Sequence, residues 1–75
     1  LRSEWQRVAD CESGGNWSAQ GAVYSGIGFA NTTWANYGGL AFAPNAGLAT
    51  EDQQIEIGMK ITGDFVPDQE GCGAW

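Results

Sequence analysis

The sequence predicts an α+β domain, mainly α-helical with a minimal β-hairpin. Three observations carry that expectation: apolar residues at helical spacing near the start, β-formers interleaved with glycines between residues 22 and 29, and a capping pattern at Thr50 and Gln53 ahead of a final apolar segment. Seventy-five residues make one small domain, residues 1–75, whose core is thin for its surface. A content of 43% hydrophobic residues, with four Trp, three Phe and two Tyr, is that of a packed core rather than a disordered chain. No apolar run approaches the length of a membrane span.

Taking the elements in order, Leu1, Trp5, Val8 and Glu12 fall on one face of a 3.6-residue period. Ser3 and Gln6 have the spacing of a capped helix start, and Gly14-Gly15 ends the segment. From Ala22 to Phe29 the mixture of β-formers and glycines predicts two very short strands or an irregular hairpin. Asn31 or Thr32 then caps a short helix through Trp34, stopped by Gly38-Gly39. Residues 40–48, with Pro44 and Gly47, read as a loop carrying apolar side chains. Ile55, Ile57, Met59 and Ile61 alternate like a strand, yet also form i, i+4 pairs; the cap and the acidic first turn at Glu51 and Asp52 favour a helix ending near Gly63. The tail, residues 64–75, is punctuated by Gly and Pro and tied down by Cys72.

Nine acids against three bases give a net charge of −6, which excludes nucleic acid and anionic membrane surfaces as partners, because both are bound through clustered Lys and Arg. With no His and two Cys, no metal-ligand cluster is expected, and no cofactor; Gly26-Ile27-Gly28 lacks the rest of a phosphate loop. Cys11 and Cys72, if bridged, close a loop of ~62 residues worth roughly 4 kcal/mol by chain entropy. Two free thiols are the alternative, and the small size and acidic charge favour the bridge and a secreted domain. The start at Leu1, with neither Met nor a signal peptide, suggests a mature or excised segment.

Glu12 is the residue that carries chemistry. It occupies a core-facing position at the C-terminal end of the first helix, where the helix dipole and partial burial near Trp5 and Trp17 both oppose its charge. A carboxyl kept protonated toward neutral pH is what general-acid cleavage of a glycosidic bond requires. The competing reading is a solvated glutamate at a helix end. Trp17, Tyr24, Trp34 and Tyr37, with Asn16, Gln20 and Asn31, are residue types that line sugar subsites, although taken singly each aromatic fits a core position better than a ligand platform. No second carboxylate stands out: Asp10, Glu51 and Asp64 read as solvated acids.

The run Cys11-Glu12-Ser13-Gly14-Gly15-Asn16-Trp17 resembles the catalytic domain of actinobacterial resuscitation-promoting factors. The likeness continues through residues 24–29, Thr33-Trp34, Gly38-Gly39, Phe42-Ala43-Pro44, residues 48–50, Gln54-Ile55 and the closing Gly71-Cys72-Gly73-Ala74-Trp75, so it covers essentially the whole chain with one short deletion before Tyr24. The resemblance implies a reduced lysozyme-like fold with a cleft, acting on peptidoglycan glycan strands at the β-1,4 bond between N-acetylmuramic acid and N-acetylglucosamine. It implies that Glu12 is the catalytic acid and Thr33 a substrate-site residue; with the aromatic and amide residues named above, the expected substrate contacts are Thr33, Trp17, Tyr24, Asn16 and Trp34. A single essential Glu fits a lytic transglycosylase; a hydrolytic muramidase and a non-catalytic glycan-binding module on the same fold are the alternatives. A stapled inhibitor or interaction domain is a third.

Three departures from the family pattern matter. The hairpin reads Ser25-Gly26-Ile27-Gly28-Phe29, so the Gln that the family places before the Phe is replaced by Gly28. The loop before Tyr24 is shorter. Cys72 stands where the family has a tryptophan, so a bridge to Cys11 is relocated, or the natural partner lies beyond this segment. These features suggest a divergent member, from an actinobacteriophage lysin or tail protein or from a secreted bacterial factor. The expected location is outside the cell, at the wall or on a virion, as a monomer or as one domain of a larger protein.

Overall fold

In the computed structural model, which describes residues 1–69, 71 and 72, three helices surround a two-stranded sheet. The order is α1 (Arg2–Ser13), β1 (Tyr24–Ser25), β2 (Phe29–Ala30), α2 (Asn31–Asn36) and α3 (Glu51–Thr62), with single 3-10 turns at Gly39–Ala41 and Ala46–Leu48 inside the expected loop. This is the α+β, lysozyme-like arrangement that the sequence predicts. Gly73, Ala74 and Trp75 of the closing motif lie outside the described residues.

Helix α1 buries Trp5, Val8 and Ala9, but Leu1 is 61% exposed, so the apolar face starts at Trp5. Ser3 does not cap the helix. The Trp5 amide bonds to the Leu1 carbonyl at 3.1 Å, which carries the first turn past Ser3, and Arg2 reaches across to Glu51 (2.8 Å) and Asp52 at the start of α3. The other end behaves as expected, with Gly14 left-handed and the Gly15 amide returning to the Ala9 carbonyl at 3.0 Å.

Strands β1 and β2 pair antiparallel, Tyr24 opposite Ala30 and Ser25 opposite Phe29. Two-residue strands have no stability of their own, and the hairpin is fixed from outside by Asn31. Its amide donates to the Gly21 carbonyl at 2.9 Å and accepts from Ser25 Oγ at 2.6 Å. Asn31 therefore does not cap α2, whose N-cap is Ala30 without a side-chain bond; its polar atoms are engaged by the hairpin instead.

Helix α3 settles the ambiguous period. The Thr50–Gln53 capping box forms in both directions, at 3.1 and 3.0 Å, and Gly63 ends the helix in a left-handed conformation. Ile55 and Ile57 are buried, while Met59 and Ile61 pack partly exposed against the same core. Gly58 is buried where α3 meets Trp5; a Cβ there would lie 2.6 Å from the indole ring. The Trp5 ring NH points at Met59 Sδ, 3.3 Å away.

One buried polar side chain joins three segments. Gln54, with no exposure at all, accepts from the Ile27 amide (3.2 Å) and donates to the Trp17 (2.8 Å) and Ala49 (3.3 Å) carbonyls. Gly26 makes room for it, since a Cβ there would meet Gln54 Oε1 at 2.3 Å.

Candidate active site

Glu12 sits in the last turn of α1, half-buried, at the edge of the core that Trp5 and Val8 define. Its carboxyl is held above the ordinary glutamate range, first by loss of hydration and then by a hydrogen bond and charge repulsion from Asp68. The direction is the expected one. The partner is not: no second carboxylate was anticipated, and Asp68 is it.

Asp68 reaches Glu12 because the segment after α3 folds back along α1. Val66 and Pro67 are buried, Arg7 Nη1 donates to the Gln69 carbonyl at 3.0 Å, and Gln69 Nε2 donates to Glu4 at 3.2 Å. Cys72 closes the return through a disulfide with Cys11, the residue immediately before Glu12. The two expected cysteines are thus bridged, at the relocated position.

The expected substrate residues divide into two sets. Tyr24 and Thr33 line a cleft of about 160 Å³ together with Gly28, Phe29, Ala30 and Ile61, and Tyr24 is 63% exposed. Asn16 is also exposed, its side chain accepting from the Ser18 amide at 3.1 Å. Trp17 and Trp34, by contrast, are core residues. Trp34 has no exposure, donates its ring NH to the Ala43 carbonyl at 3.0 Å and packs edge-on against Phe29. It presents no face to a sugar, because a short helix can bury its one large side chain only inward. Trp17 is 8% exposed, with its ring NH on Gln6 Oε1 at 3.0 Å.

Glu12 is not among the residues that line this cleft. Ile61 was legible only as an apolar position of α3. Gly28 faces the cleft with φ 120°, a conformation that side-chain-bearing residues rarely adopt. At the position of the missing Gln, the chain therefore offers the cleft bare backbone. Among the described residues, no group of carboxylates and cysteines gathers to hold a metal ion, and no helix is long and apolar enough to cross a membrane.

The site thus comprises a half-buried glutamate whose carboxyl is pushed above its ordinary range and, separately, a cleft carrying an exposed tyrosine and a threonine. The family model of the transglycosylase-like domain matches residues 1–75, and the chain belongs to that family. It is 45% identical over 74 residues to resuscitation-promoting factor RpfA of Mycobacterium tuberculosis, a match covering 96% of this chain and 17% of that protein. It is 41% identical over 75 residues to resuscitation-promoting factor Rpf1 of Corynebacterium glutamicum, covering 97% and 36% respectively. Against resuscitation-promoting factor RpfB of Mycolicibacterium smegmatis the identity is 40% over 73 residues, covering 95% and 19%. The chain thus spans well under half the length of these curated relatives.

Proposed function

We propose that this domain cuts peptidoglycan glycan strands at the β-1,4 bond between N-acetylmuramic acid and N-acetylglucosamine, as a lytic transglycosylase with Glu12 as the one group that gives and takes the proton. The observation that carries the reading is the half-buried carboxyl of Glu12, whose pKa is pushed up by loss of hydration and by Asp68. Membership of the transglycosylase-like family supports it.

The chemistry balances with this one group. Glu12 donates its proton to the glycosidic oxygen as the bond to the anomeric carbon breaks. The muramic C6 hydroxyl then attacks that carbon and returns its proton to Glu12, leaving a 1,6-anhydro end and consuming no water.

In this reading Tyr24 offers an aromatic face and Thr33 a hydroxyl to a flanking sugar, and Asn16 supplies an amide. Trp34 and Trp17 act from behind: Trp34 anchors α2 and so fixes Thr33. The domain works outside the cell, at the wall, where a disulfide persists.

The test is mass spectrometry of purified peptidoglycan after incubation with the wild type and with Glu12→Ala. Anhydro-muropeptides that vanish in the variant are the expected result. Reducing-end products would mean hydrolysis. No cleavage by either protein, with glycan binding retained, would make the domain a binding module.

A further inference from the structure

We propose that Ser25 and Asn31 are the positioning pair of the cleft: the hydrogen bond between them fixes the strand that carries Tyr24 against the helix that carries Thr33. The inference rests on the reading of the cleft as a glycan site and names what sets its spacing.

Tyr24 and Thr33 face the cleft from different elements, β1 and α2. Neither element is stable alone, since β1 has two residues and α2 has six. Tyr24 is 63% exposed, so its backbone places it more than packing does. Ser25, the next residue, is 1% exposed; its hydroxyl donates to Asn31 Oδ1 at 2.6 Å and accepts from the Ala46 amide at 3.0 Å. Asn31 opens α2, two residues before Thr33. Its Nδ2 donates to the Gly21 carbonyl at 2.9 Å and its backbone amide to the Val23 carbonyl at 2.8 Å.

These bonds run in one direction. Because Nδ2 is committed to a carbonyl, Oδ1 is the end that faces Ser25, and the single hydroxyl proton goes to it. The lone pair left on Ser25 Oγ receives the Ala46 amide. Each bond thus orients the next, from the turn at Ala46–Leu48 through β1 to the start of α2. Neither Ser25 nor Asn31 lines the cleft, so the pair acts through Tyr24 and Thr33 rather than on the sugar. Trp34 holds α2 from the core side, and the Ser25–Asn31 bond holds its first residue to the hairpin.

The test is a double-mutant cycle on Ser25→Ala and Asn31→Ala, with N-acetylchitotetraose as the probe. Its Kd is read by NMR titration of the Thr33 methyl and Tyr24 ring signals, at a temperature where every variant is folded. Each single variant weakens binding about five- to tenfold, the scale of one lost hydrogen bond. The double variant binds no more weakly than the weaker single, because the two groups work as one. In glycan cleavage KM rises by a similar factor while kcat is kept, since Glu12 lies on α1, outside this network. Variants that melt lower but bind with unchanged Kd would make the pair merely structural and overturn the proposal. Single effects that multiply in the double variant overturn it too. Should Ser25→Ala fail to fold, Asn31→Ala at its half-buried position decides alone: an unchanged Kd overturns the proposal, and a weakened one with kcat kept bears it out. A wild type that binds the tetramer but cuts no glycan, with both single variants weakened, bears out the pair and overturns the cleavage reading. A wild type whose Thr33 and Tyr24 signals ignore the tetramer overturns the proposal, even where glycan is still cut.

Discussion

The raised carboxyl of Glu12, on which the proposed function rests, has a cost in stability whose sign can be worked out. Its carboxyl is raised above the ordinary value near 4.5 when folded, so the folded state binds more proton than the unfolded one between those two points. Its contribution is therefore most favourable in acid and is lost as pH rises from the unfolded value through the folded one. Glu12→Gln, which cannot ionise, should melt at a higher temperature than the wild type at neutral pH and near the same temperature in acid, while losing cleavage. Equal melting temperatures at both pH values would show that the folded protein does not oppose the charge. The carboxyl was legible in the sequence because a glutamate on an apolar helical face is anomalous. Asp68 was not, since nothing local distinguishes it from Asp64; only the Cys11–Cys72 tether gives it a neighbour.

Between elements, the contact of α1 with α3 turns on the absence of one side chain. A glycine inside a helix ordinarily costs about 1 kcal/mol relative to alanine, yet Gly58 lets the Trp5 indole lie against the helix backbone. Gly58→Ala therefore exchanges a propensity gain for a clash with a rigid ring, and should destabilise the domain by about 1–2 kcal/mol in urea unfolding. A stabilised variant would mean that Trp5 has room to shift. Helices α1 and α3 were readable from period and caps, because those signals are local. What was hidden is who satisfies whom: Asn31 looked like a helix cap but serves the hairpin, and Ser3 looked like a helix start but lies within one. Such assignments depend on partners far along the chain, which a local pattern does not contain.

For the whole molecule, a thin core is closed by one bridge between residues 61 apart. Removing it with Cys11→Ser and Cys72→Ser should lower stability by about 4 kcal/mol by chain entropy, read as a lower urea midpoint with a steeper slope, because the unfolded chain is no longer held compact. No shift would mean that the unfolded chain is already compact without the bridge. On the proposed substrate, the anionic bacterial wall, a charge of −6 gains no long-range attraction, so binding there would depend on contacts made within the cleft. Those contacts hang on a hairpin too short to stand alone. Because Gln54 links the Ile27 amide to the Trp17 and Ala49 carbonyls, the hairpin turn, the loop after α1 and the turn before α3 share one fastening point. Opening any one of them loosens the side chain that holds the other two. In amide exchange, Ile27 should consequently be protected as deeply as the helical core, despite lying in a turn between strands of two residues.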